Sequence, residues 1–142
     1  MTSDGKTDDE IRTILRETKT IALVGASNNP DRASYRVLGF LLGRGYTVHP
    51  VNPGLAGKTI HGATVVASLK DLPGPVDMVD VFRNSDAAGA VIDEALALEA
   101  KPKVVWLQLG VVNAEGAARG EAAAVSVVMD RCPAIEVPRL GM

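Results

Sequence analysis

The chain has 142 residues, 46% of them hydrophobic and 23% charged, with a formal net charge of -2 and one cysteine. These values fit a single globular domain over residues 1–142 and exclude global disorder and an internal disulfide. The apolar runs fall short of the roughly 20 residues of a membrane span, no signal-like stretch opens the chain, and the weak negative charge argues against a nucleic-acid partner; a cytoplasmic location is the default expectation.

Residues 1–6 read as a frayed tail. Thr7-Asp8-Asp9-Glu10 is a capping-box pattern ahead of Ile11, Ile14 and Leu15, so a short helix starts there. Residues 20–24 form a first strand, apolar and short, as expected of a strand covered on both faces. Ser34 is placed to cap a helix running to about Arg44, with Val37, Leu38, Leu41 and Leu42 at helical spacing. Residues 46–51 make the second strand, and Pro53-Gly54 forces a turn after it. A short third strand is expected over residues 63–66, followed by a helical turn before Pro73. Residues 76–82 are the fourth strand. Asn84 or Ser85 caps a helix whose apolar stripe is Ala88, Val91, Ile92, Ala95 and Leu96. Residues 103–109 are the fifth strand, Asn113 opens an Ala-rich helix to about Ala124, and residues 125–129 are the sixth strand. The remainder, "DRCPAIEVPRLGM", reads as a closing segment with two prolines.

Strands alternating with helices predict an α/β class: one doubly wound, parallel, Rossmann-like sheet of strand order 3-2-1-4-5-6. Ligands of such sheets bind outside the carboxyl ends of the strands, where the order reverses. That rule selects the loops at residues 25–34, 52–57 and 82–85.

The first loop is built for an anion. Gly25 lets the chain turn off the strand, and Ala26 and Ser27 are small enough for backbone N–H groups to approach a ligand. Ser27, Asn28, Asn29 and Ser34 add short polar groups, Arg32 and Arg36 add guanidinium forks, and a helix N-terminus lies at hand. No Asp or Glu occurs between Arg32 and Lys70, while Arg32, Arg36, Arg44, Lys58 and Lys70 carry five positive charges. A dinucleotide fingerprint would instead require G-x-G-x-x-G and an acid about 20 residues on. Here the loop is Gly25-Ala26-Ser27-Asn28-Asn29-Pro30, and the second strand ends in Asn52-Pro53. NAD is disfavoured on both counts, and the phosphate-loop pattern of nucleoside triphosphatases fails as well.

No other residue set points to catalysis or to a metal. His49 lies within a strand, His61 beside Gly62 in the irregular segment, and Cys132 before Pro133, where a small buried thiol is the better reading. Asp77, Asp80 and Asp130 offer no pairing that spacing supports. Trp106 reads as core or wall.

The blocks "GASNNPDRASYRV", "GYTVHPVNP", "VDMVDVFRNS", "VVWLQLGV" and "VVMDRCP", in this order, resemble the small stand-alone CoA-binding proteins. These are related to the CoA-binding domain of succinyl-CoA synthetase α chains and ADP-forming acyl-CoA synthetases. The resemblance runs from about Thr20 to Leu140. It implies coenzyme A, or an acyl-CoA, held across the carboxyl edge of the sheet. Gly25, Ala26, Ser27 and Asn28 would cradle the phosphate end, with Arg32 and Ser34 completing the cradle. Asn52 and Pro53 would border the nucleotide, and Val81, Phe82, Arg83 and Ser85 would flank the adenine or pantetheine. The synthetases carry a lysine just after the strand-two proline and glycine, where this chain has Leu55. Arg32, Arg36 and Lys58 therefore stay open as the main phosphate partner. The histidine-bearing and ATP-grasp parts of the synthetases do not fit in this chain. The expected function is CoA binding without catalysis, as a carrier, a sensor, a homodimer or a partner subunit. The alternative is a small NAD(P)-linked oxidoreductase with a drifted fingerprint.

Overall fold

The computed structural model describes residues 2–142. Helix α1 (Asp8–Glu17) opens with the full capping box: the Thr7 side chain accepts from the Glu10 N–H, and Glu10 accepts from the Thr7 N–H. Strand β1 (Thr20–Val24) leads to α2 (Ala33–Gly43) and β2 (Thr47–Val51). A 3-10 turn at Pro53–Leu55, a two-residue hairpin of β3 (Thr59–Ile60) and β4 (Ala63–Thr64), and a second 3-10 turn at Leu69–Asp71 precede β5 (Met78–Val81). Then come α3 (Ser85–Leu96), β6 (Val104–Leu107), α4 (Ala114–Ala122), β7 (Ser126–Val128) and α5 (Pro133–Arg139).

The main sheet is parallel, in the order β2-β1-β5-β6-β7. Strand alternation divides its apolar side chains between two cores. Ile21, Leu23, Met78, Val104, Trp106 and Val128 face α1, α2 and α5. Ala22, Val24, Val79, Val81, Val105 and Leu107 face α3 and the start of α4. Covering on both faces is why these strands read as continuous apolar runs. Among the described residues no helix is long and apolar enough to cross a membrane.

Relative to the sequence expectation, the third strand is the main correction. Residues 63–66 were expected to extend the sheet beside the second strand. Only a single parallel bridge forms, between Val51 and Val66. It is held by the Asn52 N–H to the Val66 carbonyl (2.9 Å) and the Val66 N–H to the Pro50 carbonyl (3.0 Å). The reason is local. Gly57, His61 and Gly62 adopt positive φ, which folds the segment into its own hairpin and leaves one residue for the sheet. The order 3-2-1-4-5-6 survives with its third member reduced to that bridge.

Three further expectations change. Ser34 does not cap α2; Arg32 occupies the N-cap without a side-chain hydrogen bond, and Ser34 is buried in the first turn. An Asx-type turn, with the Asp31 N–H on Asn29 Oδ1 and the Arg32 N–H on the Asn29 carbonyl, sets the earlier start. The closing segment is helical as α5, because Pro133 stands in the first turn, where no N–H is needed. Residues 2–6 are not a frayed tail. Asp4 is enclosed and accepts from Arg131 Nε (2.9 Å) and Nη2 (3.0 Å), from the Lys6 N–H and from the Met129 N–H. Residue 1 lies outside the described residues.

Strand β7 forms one border of the sheet. Its outward N–H at Val127 donates to Glu121 Oε1 (3.0 Å), and that of Met129, just past the strand, to Asp4 Oδ2 (3.0 Å). Lys6 in turn pairs with Glu121 (3.2 Å).

Candidate functional site

The three loops chosen from sequence meet at the carboxyl ends of β1, β2 and β5. Gly25 turns the chain at φ 88°, and a Cβ there would stand 2.5 Å from the Phe82 carbonyl oxygen. Only glycine meets both demands, the left-handed backbone and the close approach of the β5 loop. The Gly25 and Ala26 N–H groups both donate to the Val51 carbonyl, at 3.1 and 3.3 Å. They are spent inside the fold. The N–H groups that lack an intrachain partner are those of Ser27, Asn28, Ala33 and Ser34.

These four residues line one wall of an open cavity of about 560 Å³, with Arg32 on the same wall and Asn52, Leu55 and Phe82 across from it. No carboxylate lines it. The first turn of α2 contains no acidic residue, so the partial positive charge of the helix end is not neutralised locally. Of the three candidate cations, Arg32 reaches the cavity. Arg36 Nη1 instead donates to the Asp31 carbonyl (2.9 Å), and Lys58 lines neither this cavity nor its neighbour.

Asn52 explains why the second strand ends in an amide rather than an acid. Its Nδ2 donates to the Ala26 carbonyl (2.8 Å) and its Oδ1 accepts from the Gly54 N–H (2.8 Å). One side chain therefore holds the first and second loops together, using both a donor and an acceptor. A carboxylate could supply only the second.

A second cavity, of about 470 Å³, adjoins the first and shares Gly25 and Asn52 with it. Its walls include Val24, Val51, Pro53 and Val91, with Arg83, Ser68 and Glu94 supplying polar groups. Sequence reasoning missed Ser68, Val91 and Glu94. Ser68 comes from the irregular segment, and Val91 and Glu94 from the middle of α3, where Val91 reads only as part of the apolar stripe. A further concavity of about 570 Å³ lies near the amino end of β5, around Leu72, Gly74, Pro75 and Leu98. It shares Leu69 with the second cavity but takes no residue from the three loops.

Gly25, Ala26, Ser27, Asn28, Arg32, Ser34, Asn52 and Phe82 thus come together around the first cavity, and Pro53 and Arg83 around the second. Val81 is wholly buried in the core on the α3 side. The Ser85 hydroxyl donates to the Gly110 carbonyl and accepts from the Val112 N–H. Neither residue lines either of these two cavities.

The remaining polar residues fall elsewhere. His61 packs on Tyr35, ring centroids 4.1 Å apart, and its Nε2 lies 2.9 Å from the Tyr35 carbonyl, to which it donates. Cys132 is buried, and Trp106 Nε1 donates to the Arg131 carbonyl (2.8 Å). Asp77 Oδ2 accepts from the Lys19 and Thr20 N–H groups. Among the described residues no group of three His, Cys, Asp or Glu side chains could hold a metal ion.

Asp80 is the exception to this orderly satisfaction. It is fully buried in β5, and neither carboxyl oxygen has a hydrogen-bond partner; Gln108 Oε1 is likewise buried and unpartnered. Burial pushes the Asp80 carboxyl well above the usual carboxylate range.

Comparison with known proteins agrees with this architecture. A family model described as a CoA binding domain matches residues 19–138. The Bacillus subtilis protein YneT, itself uncharacterised, is 40% identical over 123 residues, covering 87% of this chain and 88% of its own. A hypothetical protein from Pyrococcus horikoshii superposes with a TM-score of 0.91 at 35% identity, over 100% of this chain and 97% of that one. A dinucleotide-forming acetyl-coenzyme A synthetase from Ca. Korarchaeum cryptofilum, solved in complex with phosphate and ADP, is similar at a TM-score of 0.65 and 26% identity. There the match covers 85% of this chain and 27% of the synthetase. With a match over most of its length and relatives well above 30% identity, the chain belongs to the CoA-binding domain family.

Proposed function

We propose that this protein binds coenzyme A, or an acyl-CoA, with its phosphates at the α2 end of the cleft and its adenine in the adjoining cavity. The observation that carries this reading is the wall formed by Ser27, Asn28, Arg32, Ala33 and Ser34. It presents four unpaired N–H groups, a helix N-terminus and a guanidinium to one cavity that no carboxylate enters. Such a wall fits a phosphate or diphosphate oxygen, because each N–H gains a charge-assisted bond it otherwise lacks. The second cavity, with Val24, Val51 and Val91 in its walls, suits a flat base. Arg32 is the main side-chain partner in this reading, since Arg36 and Lys58 stand off the cavity.

The same reading makes the protein a binder rather than a catalyst. Neither histidine lines either cavity, and Cys132 is buried away from a positioned base. Family membership supports an adenine nucleotide with phosphates, coenzyme A, as the ligand class.

Calorimetric titration of the intact protein with CoA, ADP and NAD tests this. CoA is expected to bind more tightly than NAD, and Arg32→Ala to weaken CoA about tenfold, the cost of one charge-assisted contact. Binding of NAD in preference to CoA, or an Arg32→Ala variant with unchanged CoA affinity, would overturn the assignment. Incubation with acetyl-CoA should release no free thiol.

A further inference from the structure

Asp80 and Gln108 have no role in the reading above, and the chain carries both at a cost. Each buried acceptor gave up water and received nothing in return. An apolar residue at either position would avoid that loss. Polar groups kept under such conditions concentrate at functional sites.

Their placement is specific. Asp80 is in register with Trp106 and Leu23. Met78 and Trp106 face the α2 and α5 core, so alternation puts Asp80, Phe82 and Gln108 on that same face. Gln108 stands one rung beyond Trp106, next to Phe82, toward the carboxyl edge. Phe82 lines the first cavity and is only half-buried. The two orphaned side chains therefore share the face of the sheet that carries Phe82, inward of the cavity wall that Phe82 forms.

We propose that Asp80 and Gln108 form a seat for an uncharged polar group at the far end of the ligand, an amide or thiol of a pantetheine-like arm, reached when the Phe82 ring turns aside. This rests on the CoA reading for the identity of the arm. The chemistry follows from the group inventory. The buried, unpartnered atoms are Asp80 Oδ1, Asp80 Oδ2 and Gln108 Oε1; held neutral by burial, the Asp80 carboxyl offers one O–H beside its acceptor oxygen. A phosphate or carboxylate would have to shed its water in a fully buried place and is refused. A neutral N–H or S–H meets partners that nothing else in the fold satisfies. The cleft thereby separates the two halves of its ligand: charged oxygens at the α2 end, a neutral polar group inward of Phe82.

The test is titration of the wild type, Asp80→Leu, Gln108→Leu and the isosteric Asp80→Asn with three probes: CoA, ADP, which lacks the arm, and free pantetheine. Both leucine variants are expected to lose about tenfold in CoA affinity while ADP stays within about twofold. Asp80→Leu is also expected to raise the thermal midpoint, since an unpaired buried acid is removed. Should Asp80→Leu not fold, Asp80→Asn is read by the same ratio, with a loss of about threefold or more for CoA. An unchanged CoA-to-ADP ratio across folded variants would overturn the proposal and make the pair structural. If the wild type binds pantetheine but not CoA, the phosphate assignment fails and the seat stands. If CoA and ADP bind equally and pantetheine not at all, the seat fails and the phosphate assignment stands.

Discussion

Asn52 Nδ2 donates to the Ala26 carbonyl at 2.8 Å, so the end of one strand fixes the loop that leaves another, 26 residues earlier. The same side chain caps the Gly54 N–H. The position where dinucleotide enzymes place an acid is here a clamp between two loops.

Asn52→Asp separates these roles. The acid keeps the acceptor for Gly54 but loses the donor for Ala26, setting two oxygens against each other. It also brings a negative charge to a cavity that otherwise has none. CoA affinity should fall about tenfold or more, with a stability loss of about 1 kcal/mol for the missing bond. Calorimetry and urea denaturation report the two effects independently. Unchanged affinity would mean the phosphates do not lie near Asn52.

Gly25→Ala tests the turn itself. The new Cβ must adopt φ 88° and lies 2.5 Å from the Phe82 oxygen. Left-handed strain and overlap together should cost about 3 kcal/mol. The urea midpoint should drop accordingly, while Gly54→Ala, with nothing closer than 3.4 Å, should shift it far less.

Asp4 gives a pH dependence of known sign. Burial alone would raise its carboxyl, but the Arg131 side chain and the Lys6 and Met129 N–H groups outweigh this and hold it at about 2. A carboxylate depressed in the folded state stabilises above its unfolded value and loses that contribution as pH falls toward the folded one. The thermal midpoint of the wild type should therefore decline between about pH 4 and pH 2, and that of Asp4→Asn should decline less over the same interval. At neutral pH, Asp4→Ala should cost about 2 kcal/mol, because it removes the carboxylate from Arg131 Nε and Nη2 while Glu136 still pairs with Nη1. A flat wild-type profile between pH 4 and pH 2 would contradict this role for Asp4.

Asp80 runs the opposite way. Its carboxyl titrates higher when folded than when unfolded. The folded state then keeps a proton the unfolded chain has released, so stability falls as pH rises above the ordinary carboxylate value of 3.8. The advantage of Asp80→Asn over the wild type should therefore grow between pH 4 and pH 7, read from thermal midpoints. A constant difference would indicate a charged Asp80 with a partner.

Much of this molecule was legible in its residues because the signals were local. Apolar runs marked the five strands of the main sheet, and Thr7, Asn84 and Asn113 marked helix starts that the structure keeps. The loop at residues 25–34 announced itself through small residues and missing acids. What escaped depended on distance or on backbone sign. His61 at positive φ turned an expected strand into a hairpin. Pro133 and Pro138 disguised α5, although the first needs no N–H at a helix start and the second falls in the last turn. Asp4 reads as tail composition, since its partner Arg131 lies 127 residues away. The second cavity draws on Ser68 from an irregular segment and on Glu94 from the polar side of α3, and the predicted positions Val81 and Ser85 are spent on core and loop.

The carboxylates along β7 have a consequence for how copies of this molecule meet. Glu121 and Asp4 occupy the amides through which a neighbour could add a strand. The β7 border of the sheet is therefore a sealed margin, and self-association by strand addition is closed along it. A form shortened by its first six residues would unseal the Met129 amide. Such fragments should grow into sheet-stitched assemblies that the intact chain resists.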